Sequence, residues 1–250
     1  MCLHDPREDQ YVSAVIAEGA PFDDHVAATV VKALRSSGDE PVYVDVGGNI
    51  GYFTLLAASL GAKTVTFEPL LANYALLSRS LQMNNFRKSK LIFAGLGADS
   101  SLIDLYKWQG NFGSTFGAVK NDPRLKFDEV TYQGSALTAR LDVVLAEYPK
   151  IDFMKVDCEG CEALALLGAS ELISHNKIRT LIIEVQTSSW KDYEALKLFE
   201  RSGYVAFLVG TNPISYESVT WSKIYQVLSD KSILVFELVI TLQAALFSSA

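Results

Sequence analysis

Tyr43-Val44-Asp45-Val46-Gly47-Gly48-Asn49-Ile50-Gly51-Tyr52-Phe53 decides how the rest of the chain is read. Pro41 to Val46 is a short apolar run carrying one acid, three glycines follow, and Tyr52 to Leu60 has helix-like composition. The pattern predicts a strand, a glycine-rich turn and a helix. Glycine lacks a Cβ and takes positive φ at no steric cost, so such a turn lets bare backbone approach a ligand. The helix start adds N–H groups without intrahelical partners. Dinucleotide sites build this turn on G-x-G-x-x-G and set a pyrophosphate over the helix start. Here Gly47 and Gly51 are four residues apart with Gly48 between them, and the Asp45 carboxylate would repel a diphosphate. A cationic ligand suits the loop better.

Seventeen residues beyond Gly51, the run Thr64-Val65-Thr66-Phe67 ends in Glu68-Pro69, where a second-strand acid commonly holds the hydroxyls of an adenosine ribose. An acid before the glycine loop and another after the next strand together fit S-adenosylmethionine, with Asp45 facing the positively charged methionine end and Glu68 the ribose. The structural alternative is that Asp45 caps the following helix and Glu68 is a solvated strand end.

A chain of 250 residues can bury one good core. Residues 1–38 read as an N-terminal helical extension and residues 39–250 as one domain, interrupted at residues 95–140 by an insert suited to substrate contacts. A formal charge of -7 argues against nonspecific affinity for nucleic acid, and the cluster Arg87-Lys88-Ser89-Lys90 reads as a solvated turn. Cys2, Cys158 and Cys161 are too few for a disulfide framework, which favours a reducing, cytoplasmic setting. Met1 to Gln10 lacks the apolar run of a secretory signal. Ile233 to Phe247 is apolar but carries Glu237, Thr241 and Gln243, so core strand plus helix is favoured over a membrane anchor.

Taken in order, Asp9 to Leu34 reads as an amphipathic helical cap ended by Gly38 and Pro41, and Pro69 stands at the start of a helix over Leu70 to Met83. Further strands are expected at Leu91–Ala94, Ile151–Asp157, Thr180–Val185, Tyr204–Val209 and Ile233–Val239, with helices from Leu141 and over Trp190–Ser202. Within the insert, Leu102 to Trp108 and Glu129 to Gln133 alternate like strand edges, and Asn111-Phe112-Gly113-Ser114 is a turn. Alternating strands and helices imply an α/β fold, a mostly parallel Rossmann-like sheet with helices on both faces, and a ligand beyond the carboxyl ends of its strands.

Lys155-Val156-Asp157-Cys158-Glu159-Gly160-Cys161-Glu162 closes one of these strands and opens a helix. Alternation puts Lys155 and Asp157 on one side, with Glu159 continuing toward it. A lysine in an apolar strand needs a partner, and Asp157 or Glu184 on the next strand can supply one. These four residues form a polar floor beside the methyl donor in the functional reading. In the structural one, Asp157 caps the helix while Glu159 and Glu162 favour its positive N-terminus. The C-x-x-C spacing invites a zinc or redox reading, but two more ligands would be needed and no paired spacing supplies them. The cysteines are therefore expected to fill small buried positions, and no metal is expected.

The sequence resembles the FkbM family of S-adenosylmethionine-dependent methyltransferases at Val44–Phe53, Phe67-Glu68-Pro69, Leu141-Asp142, Lys155–Glu162 and Ile183-Glu184. The likeness runs from about Asp9 to about Tyr204, and its most restricted element is K-x-D-x-E-G-x-E. Gly48 and the two cysteines stand where small or aliphatic residues are usual. The resemblance implies a seven-stranded class I methyltransferase domain moving a methyl group to a hydroxyl of a sugar, lipid or polyketide-like molecule. On that reading Asp45, Gly47, Gly48, Asn49, Gly51, Glu68 and Pro69 hold S-adenosylmethionine. Asp157, Glu159, Lys155 and Glu184 serve the reaction, with Asp157 or Glu159 accepting or steering the acceptor's proton. The acceptor is a small molecule, glycan or lipid. The competing readings are a catalytically silent module that still binds the donor and, from another enzyme class, a nicotinamide oxidoreductase.

Overall fold

The computed structural model describes residues 1–108, 115–118, 125, 130–186, 193–211, 214–229 and 235–247. The expected turn at residues 111–114, the residue Glu129 and the expected helix start at Trp190 lie outside them.

Two helices precede the sheet, α1 (Ser13–Ala17) and α2 (Asp24–Arg35). The single helical stretch expected from Asp9 to Leu34 is broken because Gly19 takes φ 76° and Pro21 follows two residues later. The core strand β1 (Val42–Val46) leads through the glycine turn to α3 (Tyr52–Ser59), and β2 (Lys63–Phe67) leads to α4 (Leu71–Met83) and β3 (Ser89–Ile92). Leu70 is the residue flanking the start of α4, so Pro69 lies just before the helix rather than at its first position. A small second sheet follows, from β4 (Gly95–Leu96), β5 (Leu102–Trp108), β6 (Thr115–Ala118) and β7 (Val130–Ala139), in the order β4-β7-β5-β6.

The chain then returns to the main sheet through α5 (Leu141–Val144), β8 (Phe153–Val156), α6 (Glu162–Leu167), α7 (Ser170–Ser174), β9 (Thr180–Gln186) and α8 (Glu194–Arg201). It ends with β10 (Val205–Thr211), β11 (Ile214–Val219), α9 (Trp221–Ser229), β12 (Val235–Thr241) and α10 (Ala244–Phe247). The apolar run near the C-terminus is thus a strand between β9 and β10, followed by a short helix. Among the described residues no helix is long and apolar enough to cross a membrane.

Among the described residues the main sheet has eight strands, in the order β11-β10-β12-β9-β8-β1-β2-β3, one more than the seven expected. The additional strand is β11, antiparallel to β10 at the sheet edge. Its sequence Ile-Ser-Tyr-Glu-Ser-Val is largely exposed, so it lacked the apolar signature of a core strand. The run β3-β2-β1-β8-β9 is parallel throughout, whereas β12 is antiparallel to both β9 and β10. Strand order reverses between β1 and β8, which opens a crevice beyond their carboxyl ends.

Period-two alternation sorts the core into two layers. Tyr43 of β1 and Phe153 of β8 pack with Val30 and Leu34 of α2 and Phe53 of α3. Val44, Val46, Met154 and Val156 point the other way, into a second cluster with Leu166 of α6 and Leu196 and Phe199 of α8. Phe199 is fully buried and meets the Tyr204 ring edge-on at 5.0 Å. Phe199→Ala is expected to lower unfolding free energy by about 3–5 kcal/mol in urea titrations. Val143→Ala, at an exposed position, is expected to change it by less than about 0.5 kcal/mol.

Candidate active site

The glycine turn uses its own N–H groups. Those of Gly47 and Gly48 donate to the Phe67 carbonyl at 3.1 and 3.0 Å, and that of Gly51 donates to the Gly48 carbonyl at 2.8 Å. The Asn49 N–H donates to Glu68 Oε2 and the Ile50 N–H to Asn49 Oδ1, both at 2.8 Å. Every N–H from residue 47 to residue 51 is committed, so the turn has no spare donors for a diphosphate. The glycines also answer to protein neighbours. A Cβ on Gly47 (φ 79°) would stand 1.9 Å from the Asp157 carbonyl oxygen, and one on Gly51 (φ 92°) would stand 2.1 Å from Leu77 Cδ1. The turn is packed directly against the end of β8 and against α4.

A cavity of ≈ 490 Å³ opens at the switch in strand order, with Gly47, Glu68, Asp157, Glu159 and Glu184 among its walls. Gly48, Asn49 and Pro69 also line it, as do Phe22 and Asp23 from the N-terminal extension and Ile103 and Thr138 from the insert. Glu68 is 5% exposed. Its Oε1 accepts the Leu70 N–H at 2.7 Å while Oε2 accepts that of Asn49. Burial pushes the Glu68 carboxyl up to about 7, against the hydrogen bonds that favour its charged form.

Asp45 is placed differently from the sequence expectation. It shares the Tyr43 side of β1, is 1% exposed and does not line the cavity. The Thr54 hydroxyl of α3 donates to its Oδ2 at 2.6 Å. Strand alternation explains this, since Asp45 points toward α3 rather than out of the strand end. Burial raises its pKa, and the Lys155 charge beside it works in the opposite direction.

Lys155 pairs with Asp45 in the β1–β8 register and is also buried. Its Nζ donates to Asp157 Oδ2 at 2.9 Å and lies 5.3 Å from the centre of the Phe53 ring. Burial disfavours the lysine's charge, but the Asp157 and Asp45 carboxylates outweigh it and raise its pKa. The partner expected for this lysine is therefore Asp157.

Beyond β8 the chain turns through Glu159 (φ 58°) and Gly160 (φ 101°). Glu162, fully buried at the start of α6, clasps the turn through Oε1, which accepts the Cys158 and Gly160 N–H groups at 2.9 and 3.0 Å. The expected helix-dipole role gave no hint of this clasp. Cys158 and Cys161 are joined by a disulfide, which corrects the expectation of two small buried thiols. The left-handed turn brings their Cα atoms to 5.5 Å, within disulfide range. Glu159 stays half-buried on the cavity wall. Burial and the nearby Asp157, Glu184 and Glu162 carboxylates push its pKa up to about 8, against Lys155. Among the described residues, Asp157, Glu162 and Glu184 each bring a carboxylate oxygen within 4.8 Å of the others. The cationic charge facing Asp157 is already that of Lys155.

The sequence profile of the family described as "Methyltransferase FkbM domain" matches residues 45–206. The chain belongs to the FkbM methyltransferase family. Its curated relatives include Methyltransferase 1 of Beauveria bassiana (strain ARSEF 2860), 29% identical over 183 residues that span 66% of this chain and 73% of the relative. Methyltransferase sdnD of Sordaria araneosa is 28% identical over 193 residues, with the same two shares, 66% and 73%. Among solved structures, WbdD aligns over 94% of this chain and 44% of its own at a TM-score of 0.51 and 12% identity, a likeness of fold alone.

In this FkbM methyltransferase the structure brings Lys155, Asp157, Glu159 and Glu184 to the cavity together with Glu68 and the glycine turn, and sets Asp45 beneath it. Asn73 of α4, which also lines the cavity and hydrogen-bonds Glu68, escaped the sequence reading. So did Tyr11 and Val12. Tyr11 and Val12 lie just before α1, and nothing local in α4 marks Asn73 as a residue that meets Glu68 across space. Gly47→Ala is expected to lower the melting temperature and to abolish S-adenosylhomocysteine binding in calorimetry, because the new methyl group collides with backbone at a positive φ.

Proposed function

We propose that this chain methylates a hydroxyl of a sugar, lipid or polyketide-like small molecule, using S-adenosylmethionine held at the glycine turn. The observation that carries the reading is the placement of Glu159, a half-buried carboxyl with a pKa near 8, in the same cavity as Glu68. In this proposal residues 39–250 form the methyltransferase domain, residues 1–38 an extension over it, and residues 95–140 an insert facing the acceptor.

The residues present fit the donor. Glu68 has both oxygens oriented by backbone N–H groups, and a carboxylate oxygen can accept further hydrogen bonds from two ribose hydroxyls. The turn has no spare N–H row for a diphosphate, while among the described residues that line the cavity carboxyl groups outnumber Lys155, which suits a positively charged ligand. When bound, the donor supplies an electrophilic methyl group on a sulfonium. The chain's own part is to orient and to move a proton.

Asp157, ion-paired to Lys155, serves as a fixed negative floor. Glu159 is the better base. A carboxylate with a pKa raised toward 8 takes up a proton from an attacking hydroxyl more readily than an ordinary one, and its charged form is still accessible near neutrality. Glu184, on the neighbouring strand end, adds negative charge that keeps the Glu159 pKa high.

Sugar, lipid and phenolic alcohols incubated with a methyl-labelled donor are expected to include one that gains label. A tight donor complex with no labelled product from any of them would favour the silent module. On the acceptor so found, Glu159→Gln is expected to lower kcat by roughly 10²–10⁴-fold. Because Glu159 must lose its proton to act, kcat is expected to rise with pH through about 8 and level off above it. That limb should vanish in Glu159→Gln, and its persistence there would remove Glu159 from the role.

A further inference from the structure

The segment before α1 is sewn to α4 beside the cavity. The Cys2 N–H donates to Ser80 Oγ at 2.7 Å and the His4 N–H to Ser13 Oγ at 3.1 Å. Asp9, fully buried, accepts the Val12 and Ser13 N–H groups at 3.4 and 2.9 Å and so fixes the turn into α1. Tyr11 and Val12 then reach the cavity wall. His4 Nε2 lies 2.7 Å from Asn73 Oδ1. Asn73 is 2% exposed, and its side chain hydrogen-bonds the Glu68 carboxylate.

The chemistry of these three groups fixes the direction of both bonds. An ionised carboxylate only accepts, so Asn73 presents its NH₂ to Glu68 and its oxygen to His4. An amide oxygen also only accepts, so the imidazole carries its proton on Nε2. The result is a directed chain, His4 to Asn73 to Glu68, that ends on the carboxylate assigned above to the donor's ribose. Without His4, the Asn73 amide loses the partner that sets which of its ends faces Glu68.

We propose that residues 1–13 belong to the donor site and that His4 is a positioning residue, acting through Asn73 to hold the Glu68 carboxylate charged and aimed at the two ribose hydroxyls. This rests on the reading of Glu68 as the ribose ligand. The groups that face Glu68 are the Asn49 and Leu70 N–H groups, the Asn73 amide and, through space, the Asp45 carboxylate, with His4 one bond further out. Of these, Asn73 is the donor that the N-terminal segment controls. The pH dependence is read as the difference between variants.

Calorimetric titration of the full chain with S-adenosylhomocysteine, across a pH series, tests this. Wild type is expected to bind more tightly as pH rises through about 7, where Glu68 becomes charged. His4→Ala is expected to weaken binding about three- to tenfold at neutral pH, the range of one lost hydrogen bond, and to move the midpoint of the pH dependence upward. His4→Gln, whose amide N–H can also donate to Asn73 Oδ1, should restore both. His4→Ala combined with Asn73→Ala should be no weaker than Asn73→Ala alone. A His4→Ala protein that binds with unchanged affinity and midpoint overturns the relay while leaving the donor assignment standing. An affinity loss without a midpoint shift, together with a lower melting temperature of the free protein, reduces His4 to a structural tether and also overturns it. No binding by wild type at any pH overturns the donor reading and the relay with it.

Discussion

A lysine is buried in the middle of the sheet between two acids, and the site is arranged around that fact. Lys155 stands opposite Asp45 in the β1–β8 register and donates to Asp157, two residues further on and just past the end of its strand. An uncompensated charge in such a place costs several kcal/mol. The three groups therefore need one another, with Thr54 supplying an additional hydrogen bond to Asp45. The arrangement gathers carboxyl groups at the strand ends, where Glu159 and Glu184 join Asp157 on the cavity wall. A pocket of that character, next to a turn whose N–H groups are all spent, suits a cation better than a phosphate.

The topology turns this local chemistry into a two-sided site. Since the order reverses between β1 and β8, the turn after β1 and the turn after β8 lie side by side, although more than a hundred residues separate them in sequence. One is the glycine turn, tied to Phe67 and Glu68 at the end of β2, and the other carries Asp157 and Glu159. The second sheet and the segment before α2 wall the remaining sides.

Much of this was legible in the amino-acid order, because the residues concerned interact locally or by strict alternation. The strand-turn-helix at Tyr43–Phe53, the acid after β2, and the need of Lys155 for a carboxylate partner, Asp157 or Glu184, follow from periodicity and the cost of a buried charge. Asp45 falls on the expected strand, but alternation along β1 turns it toward Thr54 of α3 rather than into the cavity where a ligand would meet it. The edge strand β11 was missed because most of its side chains meet water and it shows little apolar pattern. The Cys158–Cys161 bond depended on the left-handed backbone at Glu159 and Gly160, which residue types alone do not announce. The contacts of His4 and Asn73 span 69 positions, a separation at which no local pattern survives.

The missing side chain at Gly47 has a reach beyond its own turn. With the Asp157 carbonyl seated where that side chain would be, the two turns share a surface with no slack, and a shift in one is transmitted to the other. Remodelling the stretch from Asp157 to Glu162 would therefore disturb the glycine turn as well. Change has its freer path through the wall that does not touch this seam, the added small sheet.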